Sequence, residues 1–271
     1  MPKPITPEFL THTMVNGIAL HSAGSGPPLA LFHGGSGSWR HFAANLGPLA
    51  RHFRVIAVDM PGLGDSADAA RDITLDAYLS RMTDALDQVI GRDAELSLVG
   101  FSVGGLMATA IATRLGRRVK RLALCAVGGY YDDEILTLDL RGPRRGMSDD
   151  EIRAIHRHNL VQMMFADPAR IDDQAIALQR ENVERSRFNT RLLGMKHHIS
   201  LFLPRVTCPV MMIFGGRDNL SGPKNIGPRI ALCRSLKPEA ELHVLADVGH
   251  WVCYEGADRV NPLLLRFLTQ H

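Results

Sequence analysis

The stretch Leu96–Gly105, which reads LSLVGFSVGG, decides the fold of this 271-residue chain. An apolar run typical of a buried strand leads into Gly-x-Ser-x-Gly at 100–104, and apolar residues at helical spacing follow from Val103 to Leu115. Glycine has no Cβ, so the glycines on both sides of Ser102 permit a tight turn. The pattern therefore predicts a strand, a turn and a helix that together expose the Ser102 hydroxyl at the end of the strand.

On both sides of this unit, short apolar or β-branched segments alternate with longer segments of helical periodicity. This alternation favours a mainly parallel sheet with helices on both faces. Asn16-Gly17 suits a hairpin turn, so the sheet is expected to begin with an antiparallel pair, Phe9–Val15 and Ile18–Ser22. The other predicted strands are Leu29–Phe32, Arg54–Val58, Leu96–Gly100, Arg121–Ala126, Val210–Phe214 and Glu241–Leu245. The predicted helices are Trp39–His52, Leu75–Ile90, Val103–Leu115, Lys224–Leu236 and Ala257–Leu268.

The alternation stops between Gly128 and Pro204, where charged residues are plentiful and helical periodicity replaces the strand signals. Glycines at 128–129 and the proline at 204 are breakers suited to the ends of an inserted unit. We therefore expect an α/β core made of residues 1–127 and 206–271, with a helical cap over residues 128–205.

The composition is that of an ordinary globular protein, with 45% hydrophobic and 22% charged residues. A net charge of +3, with basic and acidic residues interspersed, indicates neither a nucleic-acid nor a membrane partner. The four cysteines form no Cys-x-x-Cys pair, which favours reduced, mostly buried thiols. Residues 1–9 carry three prolines and no apolar signal segment, and no later apolar run reaches membrane-span length. A cytoplasmic location is the expectation.

Ser102, Asp218 and His250 each follow a predicted strand, in the order nucleophile, acid, base. Asp218 comes just after Val210–Phe214, and His250 lies in the short loop before the last helix, where a side chain can reach back over the strand ends. A serine nucleophile needs such a base, and the base needs an acid to orient it. Weaker candidates are Asp132 and Asp133 as the acid, and His243, His197 and His198 as the base.

Backbone N–H groups are the expected donors to an oxyanion. Val103 follows the nucleophile at the start of its helix, and the loop 33–37, His-Gly-Gly-Ser-Gly, follows the strand Leu29–Phe32. We predict an oxyanion hole formed by Val103 and Gly35, with Gly34 as the alternative donor. The loop lacks the Gly-Lys-Ser/Thr and Gly-x-Gly-x-x-Gly spacings of nucleotide-binding loops.

Together with the segment Asp59–Ser66, which reads DMPGLGDS, these motifs resemble the α/β-hydrolase superfamily over nearly the whole chain. The resemblance implies a mixed eight-stranded sheet, a helical cap after the sixth strand, a Ser102-Asp218-His250 triad, and a mainly structural role for the 59–66 loop. The serine disfavours the haloalkane dehalogenase and epoxide hydrolase branches, which are known for an aspartate at the nucleophile position.

The run 249–258, GHWVCYEGAD, is similar to that of the meta-cleavage-product hydrolases, which split carbon–carbon bonds in ring-opened aromatic compounds. Arg180 lies about where those enzymes carry a substrate-binding arginine. The chain departs from them in a shorter oxyanion loop, in Phe101 where asparagine usually precedes the serine, and in His41 at another polar position. The substrate-binding candidates are therefore Phe101, His41, Arg180, Trp251 and Tyr130, each with surface or core packing as the alternative. An apolar Phe101 suits a less polar acyl or alkyl group.

The sequence thus predicts a cofactor-independent serine hydrolase that cleaves a small-molecule carboxylic ester through an acyl-enzyme. Hydrolysis of a vinylogous β-diketone is the alternative reaction, and a ligand receptor on the same fold is the non-enzymatic alternative. A metal enzyme is disfavoured, since His156 with His158, and His197 with His198, lack the i, i+4 spacing of a two-histidine zinc face. A homo-oligomer is left open.

Overall fold

The computed structural model describes residues 9–130, 138–194, 198–221 and 226–270. Within these residues, eight strands form one sheet, in the spatial order β1-β2-β4-β3-β5-β6-β7-β8. The strands are β1 (Thr11–Val15), β2 (Ile18–Ala23), β3 (Pro28–Phe32), β4 (Arg54–Val58), β5 (Leu96–Phe101), β6 (Val119–Cys125), β7 (Val210–Gly215) and β8 (Glu241–Leu245). The two pairs made by β2 are antiparallel, and the remaining pairs are parallel. The mostly parallel α/β fold, with an antiparallel hairpin at one edge, is confirmed.

Helices cover both faces of the sheet and the edge formed by the strand ends. They are α1 (Ala43–Ala50), α2 (Leu75–Ile90), α3 (Val103–Leu115), α4 (Asp149–Met163), α5 (Asp173–Glu184), α6 (Arg191–Gly194), α7 (Ile226–Leu236), α8 (Val252–Glu255) and α9 (Ala257–Thr269). No helix in the described part of the chain is both long enough and apolar enough to cross a membrane.

Alternate residues of the central strands point into two separate cores. In β3, Ala30 and Phe32 join the core formed with α2, α3 and α7, whereas Leu29 and Leu31 join the core formed with α1, α8 and α9. Because β3 is buried on both faces, its sequence is continuously apolar, as parallel strands require. The sheet is thus a rigid support whose carboxyl-terminal edge carries the loops of interest.

Between β6 and β7, the described residues form helices α4, α5 and α6 and three short 3₁₀ turns, joined by loops and without a strand. Helix α4 starts with a capping box, in which the Ser148 hydroxyl accepts from the Glu151 N–H and the Glu151 carboxylate accepts from the Ser148 N–H. Apolar residues of α4 and α5, Leu160 and Ile176 among them, join the core on the α1 side. These helices lie where the cap is expected, and its division from the core at residues 127 and 206 stays a prediction.

The largest departure from the predicted elements is the first helix. Instead of one helix over Trp39–His52, the chain forms a 3₁₀ turn at Trp39–Phe42 and then α1. The Ser38 hydroxyl accepts from the Arg40 N–H and so starts the 3₁₀ turn. The four cysteines are free and buried, as expected.

Candidate active site

Ser102 occupies the turn between β5 and α3 with φ 53° and ψ −125°. A residue with a side chain rarely adopts this conformation, which costs on the order of 1–3 kcal/mol. The surrounding backbone holds it in place. The Ser102 N–H donates to the Cys125 carbonyl at 3.0 Å, and the Ser102 carbonyl accepts from Gly105 and Gly128, each at 2.9 Å. The predicted strained turn is therefore present at the predicted residue.

Close backbone approach explains both motif glycines. A Cβ on Gly104 would lie 2.2 Å from the carbonyl oxygens of Phe32 and His33, and a Cβ on Gly100 would lie 2.5 Å from the Gly105 Cα. No side chain fits at either position, because the clashing atoms are backbone. The Gly-x-Ser-x-Gly spacing is thus what packs α3 against β3 and β5.

Asp218 and His250 meet at the same edge of the sheet. His250 Nδ1 lies 2.8 Å from Asp218 Oδ2, and both residues are buried, with exposed fractions of 3% and 5%. The other carboxylate oxygen of Asp218 accepts from the Leu220 N–H at 2.8 Å. Burial raises the pKa of Asp218, but the charge and hydrogen bond of His250 outweigh this effect and place the pKa below its usual value. An ionised Asp218 therefore fixes the orientation of the imidazole.

Glu255, which sequence reasoning missed, holds the backbone around His250. Its carboxylate accepts from the N–H groups of Gly249 at 2.6 Å, Ala166 at 3.0 Å and Asp167 at 2.9 Å. Ala166 and Asp167 follow helix α4 in the cap region, whereas Gly249 precedes the histidine. One carboxylate thus connects the cap region to the histidine loop. Its only sequence signal is its place in the run 249–258.

The loop that carries Gly34 and Gly35 is held by His33. His33 Nδ1 contacts the Gly34 carbonyl at 2.8 Å, while its Nε2 accepts from the Met60 N–H at 2.9 Å. Burial lowers the pKa of His33, which favours the neutral ring that this bonding pattern requires. The loop is therefore fixed to the segment after β4, and His33 is a supporting residue that the motif analysis passed over.

The structure separates the two candidate donors in this loop. The Gly34 N–H donates to His41 Nδ1 at 3.1 Å, so it is already engaged. A Cβ placed on Gly35 would lie 3.8 Å from Val103 Cγ1, which puts the Gly35 backbone beside the start of α3. Val103 is the first residue of that helix, so its N–H has no partner within the helix. The placement of Gly35 and Val103 thus suits an oxyanion hole, whereas the Gly34 N–H is already engaged, and the choice of donors stays a prediction.

One edge of the α/β sheet carries a strained serine, a buried histidine–aspartate pair and a fixed glycine loop. The model of the alpha/beta hydrolase family matches residues 29–263. The chain belongs to this family. It is 28% identical to a 2-hydroxy-6-oxononadienedioate/2-hydroxy-6-oxononatrienedioate hydrolase of a Pseudomonas species, over 96% of this chain and 95% of that protein.

Solved structures share the fold at lower identity. A meta-cleavage product hydrolase from Pseudomonas fluorescens superimposes with a TM-score of 0.71 at 22% identity, covering 95% of this chain and 97% of that one. A carboxylesterase from Bacillus subtilis superimposes with a TM-score of 0.71 at 20% identity, covering 98% and 93%. This hydrolase therefore shares its fold with both a meta-cleavage product hydrolase and a carboxylesterase.

Three of the expected substrate-binding residues are buried beneath the site. Phe101 and Trp251 have no exposed surface, and His41 is 1% exposed. The ring centroid of Phe101 lies 5.1 Å from that of His250 and 5.2 Å from that of His41, and Trp251 Nε1 donates to the His41 carbonyl at 2.8 Å. Burial, followed by the neighbouring His33 and His250, holds the pKa of His41 well below its usual value. These rings pack around His250, and their place in a substrate pocket stays a prediction.

Arg180 already has two ion-pair partners, and its role in substrate binding stays a prediction. Its guanidinium pairs with Asp149 at 2.5 Å and with Glu184 at 2.9 Å, so it ties the start of α4 to α5. The i, i+4 pair with Glu184 and the exposed partners identify a helix-surface network. A substrate carboxylate would have to displace both partners.

Tyr130 is half-buried and already engaged. Its hydroxyl lies 3.1 Å from Cys233 Sγ, and the Arg229 guanidinium lies 4.9 Å from its ring centroid. Of the weaker candidates for the base, His243 pairs with Glu241 on β8 and His198 contacts Ser200. The other weaker candidates for the acid and the base, Asp132, Asp133 and His197, lie outside the described residues.

Unpartnered buried polar atoms mark the contact between the 3₁₀ turn and α5. Within the described part of the chain, no hydrogen-bond partner is found for four buried atoms: Trp39 Nε1, Arg40 Nε, Gln179 Oε1 and Asn182 Nδ2. Arg40 also pairs with Glu181 at 2.6 Å, across from the core to the cap region. Buried polar groups are normally satisfied, so this contact has capacity to bind polar groups. Arg40, Gln179 and Asn182 were not singled out from the sequence, since the helical pattern alone does not tell which polar residues are buried.

Proposed function

We propose that this hydrolase cleaves small carboxylic esters through an acyl-enzyme formed on Ser102. The observation that carries the proposal is the buried hydrogen bond between Asp218 and His250 Nδ1 at the strand edge that presents Ser102. Because Nδ1 is held by the carboxylate, Nε2 is the nitrogen left to take the serine proton. Asp218 stabilises the imidazolium that forms, and the histidine then returns the proton to the leaving alkoxide.

The oxyanion formed by serine attack needs donors that are already in place. The N–H groups of Val103 and Gly35 have this role in the proposal, and His33 keeps the glycine loop from moving. Water then attacks the acyl-enzyme with His250 as base. The side chains of the proposed triad and the two backbone N–H donors supply the nucleophile, the base, the acid and the oxyanion donors, so we propose no cofactor.

Two features favour an ester substrate. Phe101 stands next to the nucleophile and packs against His250, where it offers no hydrogen bond to a polar substrate. Arg180, the cation expected to recognise a carboxylate, is already paired with Asp149 and Glu184. An ester also releases an alkoxide, whereas carbon–carbon cleavage must stabilise a carbanion.

Carbon–carbon bond hydrolysis of a vinylogous β-diketone is the second candidate. It is favoured by the 28% identity to a 2-hydroxy-6-oxononadienedioate/2-hydroxy-6-oxononatrienedioate hydrolase over nearly the full length of both chains. In this reading the polar substrate groups would require donors and acceptors, and the unpartnered atoms of Arg40, Gln179 and Asn182 are the candidates.

Parallel turnover of two substrate sets tests the proposal. The purified chain is assayed with nitrophenyl esters of increasing acyl length and with a ring-cleavage dienol, beside Ser102→Ala as the matched control. We expect multiple turnover of a short ester, a lower kcat/KM for the dienol, and no turnover by the control. A higher kcat/KM for the dienol would reverse the choice of substrate. Fluorophosphonate labelling without turnover of any ester would favour the receptor alternative.

A further inference from the structure

We propose that His12, His21 and Asp65 form a binding site for a divalent transition-metal ion such as Zn²⁺. The candidate donor atoms of the three residues all lie within 4.8 Å of one another. None of the three belongs to the triad or to the glycine loop. The site is therefore separate from the proposed ester chemistry, and its test does not depend on that chemistry.

The two histidines face each other because of the strand register. His12 in β1 is the cross-strand partner of His21 in β2, and residues directly opposite in an antiparallel pair point to the same face. Their ring centroids are 4.9 Å apart. His12 is exposed and His21 is buried, so an ion could enter from solvent and be held by a fixed inner ligand.

The carboxylate of Asp65 completes the set from the loop after β4. Its Oδ2 lies 3.7 Å from His21 Nε2, while its Oδ1 is held by the guanidinium of Arg185. The Asp65 N–H donates to Asp59 Oδ2 at 2.9 Å, which fixes the backbone at this point. One oxygen thus faces the histidines, and the other is anchored to the residue that follows α5.

Asp59 supports the set without being one of its three members. It is fully buried and lies 3.1 Å from His21 Nε2. Because Nε2 is the nitrogen that contacts Asp59, His21 can keep this hydrogen bond and offer Nδ1 to an ion. A carboxylate behind a ligating histidine is the usual arrangement that orients the ring in metal sites.

The chemistry of the three donors selects the ion. Two imidazoles and one carboxylate are ligands typical of Zn²⁺, with water in the remaining position. Zinc–ligand distances of about 2.0–2.2 Å place tetrahedral donors about 3.5 Å apart, so the observed spacing requires a contraction of roughly 1 Å. The exposed His12 side chain is free to make most of that movement. Bound zinc would connect the β1–β2 hairpin to the 59–66 loop and, through Arg185, to the end of α5.

Competition between the untagged chain and a chromophoric zinc chelator tests this site. We expect one zinc ion per chain, and at least tenfold weaker binding by His12→Ala and by Asp65→Asn. His243→Ala is the matched control, since His243 is also a strand histidine beside a carboxylate, and it should bind zinc like the wild type. No zinc binding by the wild type, or equal binding by His12→Ala, would overturn the proposal.

Thermal unfolding gives a second reading that separates loss of the site from loss of the fold. A ligand that binds only the native state raises Tm with its concentration. Zinc should therefore raise the Tm of the wild type and of His243→Ala, and leave that of His12→Ala unchanged. Because His12 is exposed, this variant should keep the wild-type Tm in the absence of zinc. An equal rise in His12→Ala would contradict the assignment.

Discussion

The turn at Ser102 and the cap helix α5 differ in what determines their side chains. At the turn, backbone atoms crowd Gly100 and Gly104, so the backbone has one allowed conformation. That conformation determines the position of the Ser102 side chain. On α5, Arg180 pairs across the surface while Gln179 and Asn182 are buried with unpartnered atoms. The first region is decided by local sterics, and the second by how two helices pack. Reaction chemistry is therefore easier to predict from this sequence than substrate choice.

The largest effect is expected from removing the acid of the triad. Asp218→Asn should lower kcat by about 10⁴-fold, because the amide no longer holds the imidazole in the required tautomer or stabilises its cation. Steady-state turnover of the best ester measures this loss. The exposed Asp93→Asn is the control and should keep wild-type turnover. A loss below tenfold for Asp218→Asn would mean that another group orients His250.

The steric claim about the turn is tested by stability. Gly104→Ala forces a Cβ to within 2.2 Å of two carbonyl oxygens, and such overpacking should cost about 1–3 kcal/mol or more in the free energy of unfolding. Gly47→Ala is the matched control, since Gly47 lies in α1 with no atom within 4 Å of an added Cβ. It should stabilise the chain by about 0.5–1 kcal/mol. Urea denaturation compares the two, and equal stabilities would contradict the account.

The buried rings beneath the site give a pH test. The folded chain holds the pKa of His41 well below its usual value, so below about pH 6.5 the unfolded chain binds a proton that the folded chain does not. Stability should therefore fall as the pH drops below that value, by up to about 1.4 kcal/mol per pH unit for this group. His41→Gln removes the titration but can still accept from the Gly34 N–H. Urea denaturation at several pH values should show a shallower fall for the variant, and an unchanged slope would rule out this role.

The smallest effect is expected on the cap. If Arg180 only joins α4 to α5, Arg180→Gln should leave kcat/KM within about twofold of the wild type. The variant then loses no substrate contact, and exposed ion pairs contribute little to stability. A cation that binds a substrate carboxylate would instead cost about tenfold or more in KM when removed. Assays with one neutral ester and one carboxylate-bearing substrate distinguish these outcomes. A rise in KM confined to the charged substrate would instead show that Arg180 binds the substrate carboxylate.

The same contrast explains which predictions succeeded. Strands β4 and β8 and helices α2 and α3 have the predicted bounds, because their periodicity is strong and turn residues flank them. The structure brings Asp218 and His250 together since both follow parallel strands that end at one edge. Trp251 and Phe101 are fully buried, which residue type alone does not encode, and their place in the pocket stays a prediction. The roles of Glu255 and His33 depend on contacts distant in sequence, and no local pattern reveals them.

The central claim is that Ser102 is a nucleophile activated by His250 and Asp218. Site mapping by mass spectrometry after brief exposure to a fluorophosphonate tests it most directly. The account predicts one label per chain, located on Ser102, absent in Ser102→Ala and much slower to form in His250→Ala. A label on another residue, or equal labelling rates in the wild type and His250→Ala, would contradict it.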